Sequence, residues 1–152
     1  MPKSAEITIR LLKASDLPEW RRLWTGYLTF YETTVSERVY ETTFARLLSD
    51  DPHEFSCRLA VDADGHPVGL VHFLFHRHNW KVENVCYLQD LFTAPEARNM
   101  GVARKLIEQV YAEADAAGCP AVYWLTQEFN HTARVLYDKI AQKTPFIRYQ
   151  RG

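Results

Sequence analysis

Apolar residues near the start of the chain recur first at every second position and then at helical spacing. Residues 6–12 alternate apolar and polar side chains, which predicts a half-buried strand. Residues 17–32 carry aromatic side chains at i, i+4, i+7 and i+11, and this spacing predicts a helix with an aromatic face formed by Trp20, Trp24, Tyr27 and Tyr31. A second helix is predicted from Ser36, as its N-cap, to about Leu48.

The middle of the chain has the pattern of a hairpin followed by another strand. Residues 55–75 contain two apolar runs separated by Asp64-Gly65, a dipeptide that strongly favours a tight turn between antiparallel strands. Residues 84–93 form a further apolar run. We therefore expect three strands in succession, of which the first two are antiparallel neighbours.

Helices and strands alternate in the last third of the chain. The pattern predicts a helix over residues 101–117, a strand over 121–127 and a short helix that Asn130 caps. Residues 144–150 are apolar enough to predict a closing strand. The predicted order is therefore β-α-α-β-β-β-α-β-α-β.

This order predicts one α+β domain of the α/β/α type over residues 1–152. The strands at 84–93 and 121–127 flank a helix, so they should be parallel neighbours joined by a crossover. The other strands favour antiparallel pairing. We expect a mixed, mostly antiparallel central sheet with helices on both faces.

Composition narrows the classes of protein and partner. The chain has 18 Lys and Arg residues against 19 Asp and Glu residues, so its net charge of -1 gives no overall attraction for nucleic acid or for an anionic membrane. Three cysteines without CxxC spacing do not indicate a disulfide framework or a thiolate zinc site. The first ten residues lack the apolar core of a signal peptide, and we expect a cytoplasmic protein.

The start of the predicted helix at residue 101 has the wrong charge for a helix N-terminus. Arg98, Arg104 and Lys105 cluster where unpaired N–H groups already make the potential positive. Gly101 and Ala103 would allow a ligand to approach the backbone closely. Two interpretations remain: a surface helix that tolerates its basic start, or a site for a phosphate group.

The sequence of residues 98–103, RNMGVA, is similar to the acyl-CoA pyrophosphate motif R/Q-x-x-G-x-G/A of the GNAT superfamily of N-acyltransferases. The preceding segment YLQDLFT and the later segment NHTARVLY also resemble that superfamily. Over residues 7–151 the chain looks most like the fungal Hpa-type histone and polyamine acetyltransferases, and more distantly like spermidine/spermine acetyltransferases. The resemblance implies a GNAT fold and acetyl-CoA as co-substrate, with no metal.

The resemblance also implies which residues hold acetyl-CoA. Strand residues would run beside the pantetheine arm, with a backbone N–H near Leu91 polarising the thioester carbonyl, and the loop and helix start would hold the pyrophosphate. Asn130 matches a residue that contacts the cofactor, although its simplest role is that of an N-cap. The complete implied set is Leu91, Phe92, Thr93, Arg98, Asn99, Met100, Gly101, Val102, Ala103, Arg104, Asn130 and Tyr137.

Three residues are candidates for proton transfer. Tyr137 matches the tyrosine that protonates the leaving thiolate in the family, although by periodicity it could be a core aromatic. Spermidine-type relatives have a glutamate where this chain has Gln89, and glutamine cannot accept a proton at neutral pH. The general base would then be Asp90 or Glu32, or water would relay the proton.

The acceptor amine has candidate binding residues as well. Aromatic faces and a carboxylate suit an ammonium group, so Tyr27, Tyr31, Glu32 and Gln89 are predicted to line the acceptor site. Tyr27 and Tyr31 could equally be core residues. Because Gln89 removes one negative charge, an amino acid or another small amine is as plausible an acceptor as a polyamine.

Other chemistries have weaker signals. His72, His76 and His78 lie on one strand, where the outer pair would be about 20 Å apart and could not chelate one ion. Cys86 and Cys119 have no evident activating partner, so we expect direct transfer in a ternary complex rather than an acyl-cysteine step.

Three functions fit these observations: an acetyl-CoA-dependent N-acetyltransferase for the primary amine of a small molecule, a non-catalytic acyl-CoA-binding module, and a lysine or N-terminal acetyltransferase acting on proteins. Because Hpa-like relatives use their C-terminal strands in subunit contacts, the apolar segment 144–150 indicates a homodimer.

Overall fold

A computed structural model describes residues 6–152, which form five strands and four α-helices. The strands are β1 (Thr8–Leu11), β2 (Ser56–Val61), β3 (Pro67–His76), β4 (Val85–Thr93) and β5 (Val122–Tyr123). The helices are α1 (Leu17–Phe30), α2 (Glu37–Leu47), α3 (Val102–Ala116) and α4 (His131–Ile140). No helix of the described residues is long and apolar enough to cross a membrane.

The strands form one sheet in the order in which they occur along the chain. Neighbours from β1 to β4 are antiparallel, and β4 and β5 are parallel because α3 connects them across the sheet. The predicted turn joins β2 to β3, with Gly65 at φ 79° and the Asp62 N–H donating to the His66 carbonyl. The mixed, mostly antiparallel sheet is therefore confirmed.

The helices cover both faces of the sheet, so the sheet has two cores. On one face α1 and α2 bury an aromatic cluster that includes Trp20 and Phe44 together with Leu59 and Leu70 of the sheet. On the other face α3 buries aliphatic side chains against the sheet, and α4 adds partly buried residues. Burying apolar area on both faces is the main source of stability in such a layered domain.

The predicted helix boundaries follow from hydrogen bonds at the helix ends. Ser36 Oγ accepts the Val39 N–H at the start of α2, and Asn130 Oδ1 accepts the Ala133 N–H at the start of α4. After α3, Gly118 has a positive φ and the Cys119 N–H donates to the Ala114 carbonyl, which ends the helix.

One predicted element does not form. Residues 144–150 were expected to be a closing strand, but they pair with no strand in residues 6–152. Phe146, Ile147 and Tyr149 are instead 78%, 76% and 89% exposed. Strand pairing needs a neighbouring edge, and this tail meets none in the part of the chain that the structure describes. The predicted strand over 121–127 is also shorter, since only Val122–Tyr123 pairs with β4.

Candidate active site

The sheet opens between β4 and β5. The two strands pair only at Cys86 with Val122 and at Tyr87 with Tyr123, while β4 continues alone to Thr93. The Ala94 N–H donates to the Val68 carbonyl on the β3 side. Because N–H directions alternate along a strand, those of Leu91 and Thr93 point to the open side. An extended ligand arm can therefore pair with β4 at this edge.

The segment that leads from β4 into α3 presents unpaired N–H groups. Asn99 and Gly101 both have positive φ, 65° and 75°, which folds the backbone tightly before α3 begins. Within residues 6–152, no acceptor receives the N–H groups of residues 99–104. Consecutive unpaired N–H groups at a helix start form a concave site for an anion such as a phosphate.

The three basic side chains at the start of α3 point to different places. Arg98 Nε donates to the Thr93 carbonyl at 3.3 Å, so its guanidinium stays at the mouth of the opening. Lys105 Nζ reaches the Ile7 carbonyl at 3.3 Å, on the side of β1. Arg104 lies 3.7 Å from Glu108 and is exposed. Arg98 and the backbone are therefore the principal groups facing an anion there, with Arg104 at its rim.

A β-bulge at Gln89 decides which side chain of β4 faces α1. His72 pairs with Asp90 and Phe73 pairs with Leu88, so Gln89 is an extra residue in β4. Leu88 packs against the α3 side of the sheet, and strict alternation would send Asp90 there too. The extra residue instead turns Asp90 toward α1 and leaves Gln89 exposed.

Asp90 forms part of a buried hydrogen-bond chain. Asp90 Oδ2 lies 2.8 Å from His72 Nδ1, and Trp20 Nε1 donates to His72 Nε2 at 3.1 Å. All three residues are buried: Asp90 is 5% exposed, His72 is 2% exposed and Trp20 is 0% exposed. Buried polar groups need such partners, since an unpaired one costs several kcal/mol, about 2–7 for a neutral group.

Tyrosines separate Asp90 from the surface. The Tyr27 hydroxyl lies 3.5 Å from the Gln89 carbonyl and close to the Asp90 carboxylate, and the rings of Tyr27 and Tyr31 are 5.0 Å apart. Burial, with the negative charge of Asp90, raises the pKa of both hydroxyls above that of free tyrosine. Both residues are half-buried, so they reach the core and the surface at once.

Tyr137 projects from α4 toward the same opening. Its ring packs edge-to-face on Trp124 at 5.3 Å, and its hydroxyl lies near that of Tyr31. Burial raises the pKa of Tyr137 to about 12, so the hydroxyl keeps its proton at neutral pH. The structure thus brings Tyr137, Tyr31, Tyr27 and Asp90 together between α1, α4 and the open edge of β4. Asn130 acts as the N-cap of α4.

Glu32 differs from Asp90 in being exposed to solvent. It follows α1 with φ 56°, its N–H donates to the Thr29 carbonyl, and its exposed side chain forms no hydrogen bond or ion pair with residues 6–152. With Thr29, Thr33 and Thr34 it lines an open depression of about 410 Å³. All four residues come from a single stretch of chain, whereas a groove that holds a peptide needs two facing walls.

His72 and His76 form hydrogen bonds within the fold, and the cysteines are buried. His76 contacts the Tyr123 hydroxyl through Nε2 at 2.7 Å, and His72 contacts Trp20 and Asp90. Among residues 6–152 no group of three His, Cys, Asp or Glu side chains could hold a metal ion. All three cysteines are buried, and burial raises the pKa of Cys86 to about 12, which disfavours the thiolate.

Sequence reasoning considered His72 only as a metal ligand and missed its contact with Asp90. The available signal was its position in the apolar run VGLVHFLF, where an ionisable residue needs a buried partner. Nothing in the sequence indicated the bulge that makes Asp90 this partner. Trp20 was recognised only as part of an aromatic stripe.

Comparisons with known proteins identify the family of the chain. The acetyltransferase (GNAT) family model matches residues 17–141. The chain is 42% identical to the D-amino-acid N-acetyltransferase HPA3 of Saccharomyces cerevisiae, over 96% of this chain and 91% of that protein. It is 31% identical to the thialysine N-epsilon-acetyltransferase of Bos taurus, over 57% of this chain and 54% of that protein.

A solved structure gives the same fold. The structure of AAC(6')-Iy in complex with the bisubstrate analogue CoA-S-monomethyl-acetylneamine matches with a TM-score of 0.80 at 20% identity, over 96% of this chain and 97% of that chain. At this identity the likeness extends to the fold alone.

Proposed function

Since the chain belongs to the acetyltransferase (GNAT) family and is an acetyl-CoA-dependent N-acetyltransferase, we propose that it transfers the acetyl group directly to the primary amine of a small molecule, with an amino acid as the first candidate acceptor. The observation that supports this proposal is the opening between β4 and β5, since Asp90 lies on β4 and the unpaired N–H groups of residues 99–104 follow that strand.

Acetyl-CoA would bind along the open edge of β4. The N–H groups of residues 99–104 and Arg98 would receive its pyrophosphate, because hydrogen bonds to a charged oxygen are the stronger kind. Leu91, Phe92 and Thr93 would lie beside the pantetheine arm. The Leu91 N–H, directed to the open edge, would stabilise the oxyanion that forms when the amine attacks the thioester carbonyl.

The amine must lose a proton before or as it attacks. The Asp90 carboxylate is supported as the final acceptor because it forms no ion pair with a lysine or arginine of residues 6–152 and lies beside the Tyr27 hydroxyl. Tyr27 would take a proton from the ammonium group while passing its own to Asp90. Glu32 is exposed to solvent and Asp90 is buried beside the Tyr27 hydroxyl, which favours Asp90 over Glu32.

Collapse of the tetrahedral intermediate breaks the carbon–sulfur bond and releases the CoA thiolate. Tyr137 would donate a proton to this thiolate, since its hydroxyl is protonated and lies at the same opening. The second proton on the attacking nitrogen would replace the one that Tyr137 gives up, so the products are the N-acetyl amide and CoA. Transfer is direct in a ternary complex, because the three cysteines are buried and cannot carry an acyl group.

The acceptor proposal rests on charge and size. A buried carboxylate without a cationic partner among the described residues attracts an ammonium group, and the rings of Tyr27 and Tyr31 add a surface suited to one. The relative named a D-amino-acid N-acetyltransferase supports an amino acid as the acceptor. The one-walled depression around Glu32 offers less support for a peptide acceptor.

An acceptor panel tests this function directly. Thiol release from acetyl-CoA would be followed with D-amino acids, L-amino acids, spermidine and a lysine peptide at equal concentrations. The proposal expects the highest kcat/KM for an amino acid. A lysine peptide as the best acceptor would contradict it, and binding of acetyl-CoA without turnover on any amine would favour a binding module.

We also propose that the chain forms a homodimer through its C-terminal tail, in a reducing compartment such as the cytoplasm. Three apolar side chains of the tail, Phe146, Ile147 and Tyr149, are exposed in the single chain, and an edge strand of a second copy would bury them. Light scattering on the full chain and on a chain ending at residue 143 tests this. A monomeric full-length protein would contradict it.

A further inference from the structure

Trp20, His72 and Asp90 form a chain of hydrogen bonds that links α1, β3 and β4. An indole N–H can only donate a hydrogen bond. At 3.1 Å from Trp20 Nε1, His72 Nε2 is therefore the acceptor and carries no proton. The indole thus selects one of the two tautomers of the imidazole.

The selected tautomer fixes the hydrogen bond at the other side of the ring. A neutral imidazole with an unprotonated Nε2 carries its proton on Nδ1, and this proton points at Asp90 Oδ2 across 2.8 Å. One carboxylate oxygen is therefore committed to His72. The other oxygen is not held by His72, and the Tyr27 hydroxyl, 3.5 Å from the adjacent Gln89 carbonyl, lies close to this carboxylate.

The titratable groups that interact with the Asp90 carboxylate include Tyr27 of α1, Tyr31 directly after it, Cys57 of β2, His72 of β3 and Tyr87 of β4. Asp90 forms no ion pair with a lysine or arginine of residues 6–152. An arginine at the position of His72 would orient Asp90 but also cancel its charge. A neutral imidazole orients the carboxylate and leaves its charge available for a cation.

We propose that His72 is a positioning residue of acetyl transfer, and that Trp20 sets the tautomer in which His72 holds the Asp90 carboxylate toward Tyr27 and the acceptor amine. This inference rests on the proposed function, because it needs an amine proton for Asp90 to accept. His72 itself touches neither acetyl-CoA nor the amine in this scheme and acts through Asp90 alone.

The tautomer can be measured without any substrate. Nitrogen NMR of the full chain labelled at histidine should show His72 with a protonated Nδ1 and an unprotonated Nε2 at neutral pH, assigned by the signal that His72→Asn removes. In Trp20→Phe, which keeps a ring but removes the donor, a mixture of tautomers is expected. A proton on Nε2 in the wild-type protein would overturn the proposal.

A pair of amide variants tests the role in catalysis. The asparagine in His72→Asn can place a donor close to the position of Nδ1, whereas the longer glutamine of His72→Gln places its amide nearer to that of Nε2. We expect His72→Gln to lower kcat by about 10- to 100-fold, because misplacing a reacting group by about 1 Å has an effect of this size. His72→Asn should keep most of kcat, and KM for acetyl-CoA should be unchanged in both.

The outcomes separate this inference from the proposed function. A folded His72→Gln protein with the wild-type kcat overturns the role of His72 and leaves the acetyltransferase function standing. Equal losses in both amide variants would indicate a merely structural role and would also overturn it. A wild-type protein that shows the expected tautomer but acetylates no amine contradicts the proposed function, and the positioning role with it.

Discussion

Asp90 and His72 lie opposite each other on β4 and β3, with 2.8 Å between the carboxylate Oδ2 and the imidazole Nδ1. They meet because the bulge at Gln89 turns Asp90 from the α3 face of the sheet to the α1 face. A single extra residue therefore places a carboxylate beside Tyr27 of α1. The predictions below follow from this arrangement and from the opening beside it.

Removing the charge of Asp90 should slow the reaction more than removing that of Glu32. Asp90→Asn loses the final proton acceptor, so kcat at pH 7.5 should fall about 100-fold or more. The loss should shrink at higher pH, where more of the amine is already neutral. Glu32→Gln is the matched control and should keep kcat within about threefold, because Glu32 is exposed to solvent whereas Asp90 is buried. A larger effect in Glu32→Gln than in Asp90→Asn would reverse the assignment of the base.

Tyr137→Phe should lower kcat without weakening acetyl-CoA binding. The phenyl ring still packs on Trp124, but the proton for the leaving thiolate is lost, so kcat should fall about 100-fold. Steady-state kinetics with acetyl-CoA as the varied substrate measure both quantities. A normal kcat in a folded Tyr137→Phe protein would exclude Tyr137 as the acid.

Gln89→Glu should move the acceptor preference toward polyamines. Gln89 is exposed at the bulge, so a glutamate there adds a second negative charge at the open edge without entering the core. We expect kcat/KM for spermidine to rise about tenfold relative to that for an amino acid, which corresponds to one additional favourable charge contact of about 1.4 kcal/mol. Gln89→Ala is the control for loss of the amide. An unchanged ratio in Gln89→Glu would place the acceptor away from residue 89.

The protein should lose stability at alkaline pH as its buried acids ionise. Burial raises the pKa of Tyr137 from 10.0 to about 12 and that of Cys86 from 9.0 to about 12. The folded chain then binds more protons than the unfolded chain between pH 9 and 12, so the free energy of unfolding falls as pH rises through this window. Urea unfolding of the wild type and of Tyr137→Phe at pH 8 and pH 11 measures it. The decline should be smaller in Tyr137→Phe, and an identical decline would contradict the shift assigned to Tyr137.

Much of the fold follows from local patterns in the sequence. The helix ends at Ser36, Gly118 and Asn130 were predicted because each depends on a hydrogen bond between near neighbours. The prediction of a strand at residues 144–150 was wrong. A strand forms only where another strand offers a free edge, and the local sequence pattern does not show whether one is near. For this tail, the sequence indicates that its side chains are apolar, but it does not indicate which surface they pack against.

The candidate site also has a part that the sequence predicted and a part that it did not. The loop at residues 98–103 was predictable from a short contiguous motif, and its positive φ at Gly101 agrees with the need for glycine there. The hydrogen bonds between Trp20, His72 and Asp90 join residues that are up to 70 positions apart in the sequence. They also depend on the bulge at Gln89, so no local pattern could predict them. Strict alternation along β4 would have sent Asp90 to the same face as Leu88, and the bulge that turns it toward α1 has no signal in the sequence.

Calorimetric titration with acetyl-CoA tests the central claim, that the segment from Arg98 to Arg104 holds the pyrophosphate. Gly101→Glu places a negative charge there, and Gly101→Asn is the matched control, because asparagine tolerates the positive φ of 75° and no atom lies within 4 Å of the added Cβ. The wild type and Gly101→Asn should bind, with about 2.7 kcal/mol of added stability at a hundredfold excess over Kd, and Gly101→Glu should not. Binding of acetyl-CoA by Gly101→Glu with the wild-type affinity, or no binding by the wild type, would contradict the account.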